Sequence, residues 1–214
     1  MLYLFDRISD FTEEEYNRYI SYLPSDRLAR AKGYRSMTDR KACVIAYLLF
    51  RLGILSEYEI RDAPSLILGR YGKPYLQEYP HIHMNLSHCG QGIVCAISDC
   101  EVGVDIQDWI APDNRLVSRV CSSEEIERVR ESQDKDRLFT AYWALKEAYI
   151  KNIGIGMSLS MKTCDFSSVK QNKFELFGKV FSLQFDRAYC LAVCDNSKYI
   201  NIRYILKQEF EQLL

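Results

Sequence analysis

At 214 residues the chain is long enough for one large domain or two small ones with an ample core, and 48% hydrophobic with 27% charged residues is the composition of a globular protein. A net charge of −1 excludes a global basic field for nucleic acid, so any anion site must be local. The longest apolar runs, such as Val44-Ile45-Ala46-Tyr47-Leu48-Leu49-Phe50, are too short to span a bilayer. Asp6, Arg7 and Asp10 follow Met1 closely and leave no signal-peptide h-region, so no membrane partner and a cytoplasmic location are expected. The eight cysteines form no C-x-x-C pair and no zinc-type spacing, and read as reduced core or surface thiols.

Met1 to Ile8 predicts a first strand, and Asp10 or Thr12 caps a helix running to about Tyr22 behind an acidic first turn. Pro24 and Ser25 restart the chain into a basic stretch with Arg27, Arg30, Lys32, Arg35, Arg40 and Lys41. An apolar helix follows from about Thr38 to Leu52, closed by Gly53. Cations at a helix start oppose its dipole, so the stretch is either a solvated face or a grip for phosphate. Glu59-Ile60-Arg61 suggests a short strand, and Gly72-Lys73-Pro74 a turn that holds Lys73 in extended backbone.

His83 to His88 and Ile93 to Ser98 read as strands. Ser87 and His88 suggest a hydrolase pair, but neighbours on a strand point to opposite faces and cannot bond each other directly. In the next strand, Val102 to Gln107, Asp105 and Gln107 alternate with Val104 and Ile106, so both polar side chains leave one face. Pro112 to Ser123 has loop character with Arg115 and Arg119, and Ser122-Ser123-Glu124-Glu125 opens a helix to about Arg130. The helical pattern from about Arg137 to Asn152 carries a buried stripe of Leu138, Tyr142, Leu145 and Tyr149, with Trp143, Glu147 and Lys151 on a neighbouring face. Glu147 and Lys151 are either an ordinary surface pair or equipment for a metal or a phosphate. Short alternating segments close the chain, near Thr163–Phe166, Phe174–Phe177, Val180–Phe185, Ala188–Cys194 and Tyr199–Tyr204.

Gly92-Ile93-Val94-Cys95-Ala96-Ile97-Ser98-Asp99 echoes Tyr189-Cys190-Leu191-Ala192-Val193-Cys194-Asp195. Either an old duplication produced two similar α+β halves, with a site in the cleft between them, or two buried strands look alike by chance. Asp105, Gln107 and Glu147 offer hard oxygen ligands suited to Mg²⁺, and Lys146, Lys151, Arg30, Arg40, Lys41, Lys73 and His88 could hold phosphate charge. Such a set suits phosphoryl-type transfer.

Gly103-Val104-Asp105-Ile106-Gln107 followed by Trp143-Ala144-Leu145-Lys146-Glu147-Ala148-Tyr149-Ile150-Lys151 resembles the paired signatures of 4′-phosphopantetheinyl transferases. Gly72-Lys73-Pro74 and Asn85-Leu86-Ser87-His88 resemble further motifs of the long, surfactin-synthetase (Sfp) type, and the Trp-x-x-Lys-Glu-Ala form resembles one subgroup of it. The resemblance implies a pseudo-dimer of two α+β halves: residues 1–103 binding coenzyme A, and residues 104–214 carrying the Mg²⁺ ligands and the carrier-protein docking surface. It implies transfer of 4′-phosphopantetheine from coenzyme A to a serine of an apo acyl, peptidyl or aryl carrier protein, with release of 3′,5′-ADP.

By motif, Asp105, Gln107 and Glu147 would hold Mg²⁺, and Glu147 or a metal-bound water would deprotonate the serine. Lys146 and Lys151 would neutralise pyrophosphate, and Lys151 would protonate the leaving group. Arg30, Arg40, Lys41, Lys73, Ser87 and His88 would contact coenzyme A, and Arg115 and Arg119 would face the acidic carrier. Many members have a carboxylate where this chain has Gln107, whose amide can ligate but brings no charge and cannot act as a base. A non-catalytic coenzyme A- or carrier-binding relative and another Mg²⁺-dependent phosphate-ester enzyme are the alternatives. Two halves in one chain imply a monomer.

Overall fold

The computed structural model describes residues 1–196, 199 and 201–213. Strand β1 (Leu2–Phe5) alternates its side chains between two environments. Tyr3 and Phe5 face a core shared with helix α3 (Met37–Tyr58), while Leu2 and Leu4 face the other half of the molecule. Strand β4 (His83–His88) and strand β5 (Ile93–Ser98) complete three antiparallel neighbours in the order β1-β5-β4. The hairpin β2 (Leu66–Leu68) and β3 (Pro74–Leu76) stands apart from this sheet.

The second half repeats the plan. Strand β6 (Val102–Asp108) leads through α4 (Asn114–Val120) and α5 (Ser123–Glu131) to the long helix α6 (Lys135–Ile153). Strands β7 (Lys173–Leu176), β8 (Lys179–Phe185) and β9 (Tyr189–Asp195) then build a sheet in the order β6-β9-β8-β7, with every neighbour antiparallel. The echoing strands β5 and β9 occupy equivalent central places, each under the long helix of its half. Leu2, Leu4, Val94 and Ala96 pack against Val102, Val104, Ile106, Leu191 and Val193, so the two sheets stack face to face with α3 and α6 outside them. The fold is α+β, in two halves of like topology.

Local rules place most elements. Thr12 and Ser122 each make a capping box with the glutamate three residues on, Glu15 and Glu125. Other elements differ from their sequence expectation. Gly53 lies inside α3, which runs on to Tyr58 and ends at Glu59 with φ 57°. A Cβ at Gly53 would overlap Ile97 Cδ1 and meet the Tyr3 ring at 3.0 Å, so this glycine admits close helix-on-sheet packing instead of ending the helix. Glu59-Ile60-Arg61 forms no strand, because the Glu59 and Ile60 amides donate to Leu55 O and Ile54 O at the helix end. Within the expected Pro112–Ser123 loop, Asp113 caps α4 and Val117 and Val120 are buried. Thr163, expected to open a short alternating segment, ends a 3-10 turn (Met161–Thr163).

Strand β6 begins at Val102, and β10 (Ile202–Tyr204) returns to pair in parallel with β1, Leu2 opposite Ile202. That pairing covers the open edge of β1, and Ile205 and Phe210 join the first core. Within the expected Tyr199–Tyr204 segment, Ile200 lies outside the described residues. No described helix is long and apolar enough to cross a membrane.

Candidate active site

The two halves meet where edge strand β4 covers edge strand β6. Asn85 Oδ1 accepts from Val104 N at 3.0 Å and Ser87 Oγ from Ile106 N at 3.3 Å, so side chains take the place of a strand partner. Beside this seam runs a cleft of about 600 Å³, lined by α2 (Ser25–Gly33), α3, the β2–β3 hairpin, β4, β6 and α6.

Asp105 and Gln107 leave β6 on the α6 side and line the cleft, opposite to Val104 and Ile106, as the alternation predicts. Trp143, Glu147 and Lys151 line it from α6 at four-residue steps. Lys151 Nζ donates to Asp105 Oδ1 at 2.6 Å, to Ser87 Oγ at 3.1 Å and to Val104 O at 3.2 Å, while Ser87 Oγ donates to Asp105 Oδ1 at 2.8 Å. The close approach needs Gly103, where a Cβ would overlap Ala148 O and Asn152 N of α6.

Two carboxylates keep free oxygen donors. Asp105 Oδ2 is buried and without a partner. Desolvation pushes the Glu147 carboxyl above its usual range; nearby Lys151 opposes the shift and Asp105 adds to it. A buried, unsatisfied carboxylate oxygen beside a second carboxylate and the Gln107 amide fits a hard dication. No group of three or more His, Cys, Asp or Glu that could hold a metal occurs among the described residues, and here the third oxygen is an amide.

Basic side chains also line the cleft. Arg27 and Arg30 from α2 and His88 from β4 line the cleft, and Arg30 Nε donates to Tyr34 Oη at 3.2 Å. Desolvation lowers the His88 pKa, and Lys151 and Arg30 lower it further against Asp39 and Asp105.

Several expected ligands are elsewhere. On α3 the cleft face is Asp39, Ala42, Cys43 and Ala46, the i, i+3, i+4, i+7 stripe, which turns Arg40 and Lys41 away. Arg40 Nε instead donates to Tyr34 O at 2.8 Å. Lys73 contributes to the cleft wall, but its ammonium is bonded to Glu101 and to Asn152 O at 2.7 Å, and desolvation lowers its pKa against the pull of Glu101. Lys146 is fully buried on the far side of α6, paired with Glu125 at 2.5 Å, and does not reach the cleft. Arg27, though visible in the basic stretch, was not expected as a ligand, nor were Tyr34 and Asp39; Arg27 and Arg30 at i, i+3 on one helix face were the available signal.

The profile of the 4′-phosphopantetheinyl transferase superfamily matches residues 101–199. The 4′-phosphopantetheinyl transferase Sfp of Bacillus subtilis (strain 168) is 26% identical over 154 residues, 70% of this chain and 68% of that protein. The 4′-phosphopantetheinyl transferase psf-1 of Bacillus pumilus is 29% identical over 192 residues, 85% and 81% of the two chains. A solved holo-[acyl-carrier-protein] synthase of Thermotoga maritima overlays with a TM-score of 0.32 at 22% identity, over 46% of this chain and 65% of that one, too slight a likeness to argue from. Residues 101–199 thus match the 4′-phosphopantetheinyl transferase superfamily, and the two Bacillus proteins that most of this chain resembles are named 4′-phosphopantetheinyl transferases.

Proposed function

We propose that this protein transfers the 4′-phosphopantetheine moiety of coenzyme A to a serine of an apo carrier protein, releasing 3′,5′-ADP, in a Mg²⁺-dependent reaction. The observation that carries this reading is the pairing of Lys151 with Asp105 beside the unpartnered Asp105 Oδ2 and the cleft-facing Glu147. The serine oxygen bonds to the β-phosphorus, the bond to the bridging pyrophosphate oxygen breaks, and that oxygen leaves with its electron pair on 3′,5′-ADP.

Asp105, Glu147 and the Gln107 amide would hold Mg²⁺, which supplies charge neutralisation to the pyrophosphate. Glu147, on the cleft wall, would accept the serine proton. Lys151 holds positive charge where negative charge collects on the leaving oxygen and can give it a proton. Ser87, with bonds to Lys151 and Asp105, orients the lysine.

Arg27, Arg30 and His88 form a cradle suited to a terminal phosphate, which gives the first half the coenzyme A-binding role. The second half would receive the carrier, with Arg115 and Arg119 one turn apart on the exposed side of α4, toward an acidic helix. Both halves of the cleft come from one chain, so a monomer is the reading, and sizing chromatography checks the state.

The test is intact-mass spectrometry of an apo carrier protein incubated with this protein, coenzyme A and Mg²⁺. A gain of one phosphopantetheine that disappears with chelator and in Glu147→Ala is expected. Coenzyme A binding with no gain on fatty-acid, polyketide or peptide carriers would sink the transfer reading and leave a binding protein.

A further inference from the structure

The lysine beside Glu147 performs a different task. Lys146 Nζ meets Glu125 Oε2 at 2.5 Å with both side chains fully buried, and also donates to Val120 O at 3.0 Å and Met161 O at 2.9 Å. These acceptors lie at the end of α4, on α5 and in the turn after α6. Glu125 is saturated in turn by the amides of Ser122 and Phe166, both at 2.8 Å.

A buried ion pair gives little net stability over apolar packing of the same volume, so stability alone does not account for it. Its geometry does suggest a reason. Successive helix residues turn by about 100°, so Lys146 enters the core while Glu147 enters the cleft. The opposite side of α6 is held against β6 at Gly103. The helix is located from two directions.

We propose that Lys146 is a positioning residue, whose buried ammonium sets the height and rotation of α6 and so presents Glu147 and Lys151 to Asp105. It touches no substrate, and it ties the helix that carries the chemistry to α4 and α5. The inference rests on the transfer reaction proposed above.

Two variants test it. Lys146→Met with Glu125→Gln removes both charges at nearly constant volume, and Glu125→Asp keeps the pair but draws the ammonium out of place. Circular dichroism and thermal melting establish the fold. Coenzyme A affinity without dication is measured by calorimetry, Mn²⁺ affinity in the presence of coenzyme A by electron paramagnetic resonance, and kcat and KM on a carrier protein.

Expected are a coenzyme A Kd within about threefold of the unaltered protein, Mn²⁺ binding about tenfold weaker and kcat lower by about 100-fold, the loss expected of displaced catalytic groups. A large rise in the coenzyme A Kd with Mn²⁺ binding and kcat intact would make Lys146 a ligand and overturn the proposal. Unchanged values in folded variants would overturn it too. If the double variant does not fold, Glu125→Asp decides by the same criteria. Absence of transfer by the unaltered protein would sink the reaction instead, and Mn²⁺ affinity, which needs no turnover, would still decide the role of Lys146.

Discussion

Lys151 Nζ lies 2.6 Å from Asp105 Oδ1, while the other oxygen of the same carboxylate is buried with no partner. The lysine therefore fixes the carboxylate without saturating it. Asp105→Asn keeps the shape and removes the charge, and should weaken Mn²⁺ binding and lower kcat on the order of 1000-fold, the upper range for loss of one preorganised electrostatic group. Melting should fall, because the partly buried Lys151 ammonium loses its ion-pair partner. Retained Mn²⁺ affinity in a folded variant would remove Asp105 from the metal set.

Gln107 separates a working two-carboxylate site from a damaged one. Its amide oxygen is an adequate neutral ligand, so Gln107→Glu should change kcat by less than about threefold while adding a negative charge beside Asp105 and Glu147. A gain far beyond that range would identify Gln107 as a lesion and favour the non-catalytic reading.

His88 has a lowered pKa in the unliganded cleft, so its imidazole is mostly neutral at neutral pH. A dianionic phosphate beside it would raise that pKa, so binding takes up a proton. Coenzyme A affinity should then fall as pH rises through the window between the lowered free value and the raised bound value. His88→Gln should flatten this dependence and cost about 1.5 kcal/mol of binding at the acid end. Calorimetry in buffers of different ionisation enthalpy reads the proton uptake, and the same uptake in His88→Gln would assign it to the phosphate itself.

Gly103→Ala and Gly53→Ala should differ in a defined order. A Cβ at Gly103 meets the backbone of α6, which cannot rotate away, whereas one at Gly53 meets the ends of the Ile97 and Tyr3 side chains. Gly103→Ala should cost about 3 kcal/mol or more, Gly53→Ala about 1–2 kcal/mol. Denaturant unfolding measures both, and equal losses would show that α6 shifts with ease.

The chain by itself determined what depends on neighbours within a turn or two. The alternation in β6 put Asp105 and Gln107 on one face, the four-residue step put Glu147 over Lys151, and the caps at Thr12 and Ser122 started their helices. Asp113 with Leu116, Val117 and Val120 carries the signal for α4, set between polar, loop-like flanks.

Tertiary structure decided which partner each exposed face met. Lys146 and Lys151 are the same residue type on one helix, yet one is buried against Glu125 and the other is bonded to Asp105. Lys73 is held by Glu101, Gly53 serves packing instead of a helix end, and β10 returns to β1. Periodicity reports a side chain's direction relative to its own element, over distances of a few residues. The acceptor waiting in that direction is brought there by chain closure and the packing of two sheets, and no local pattern records it.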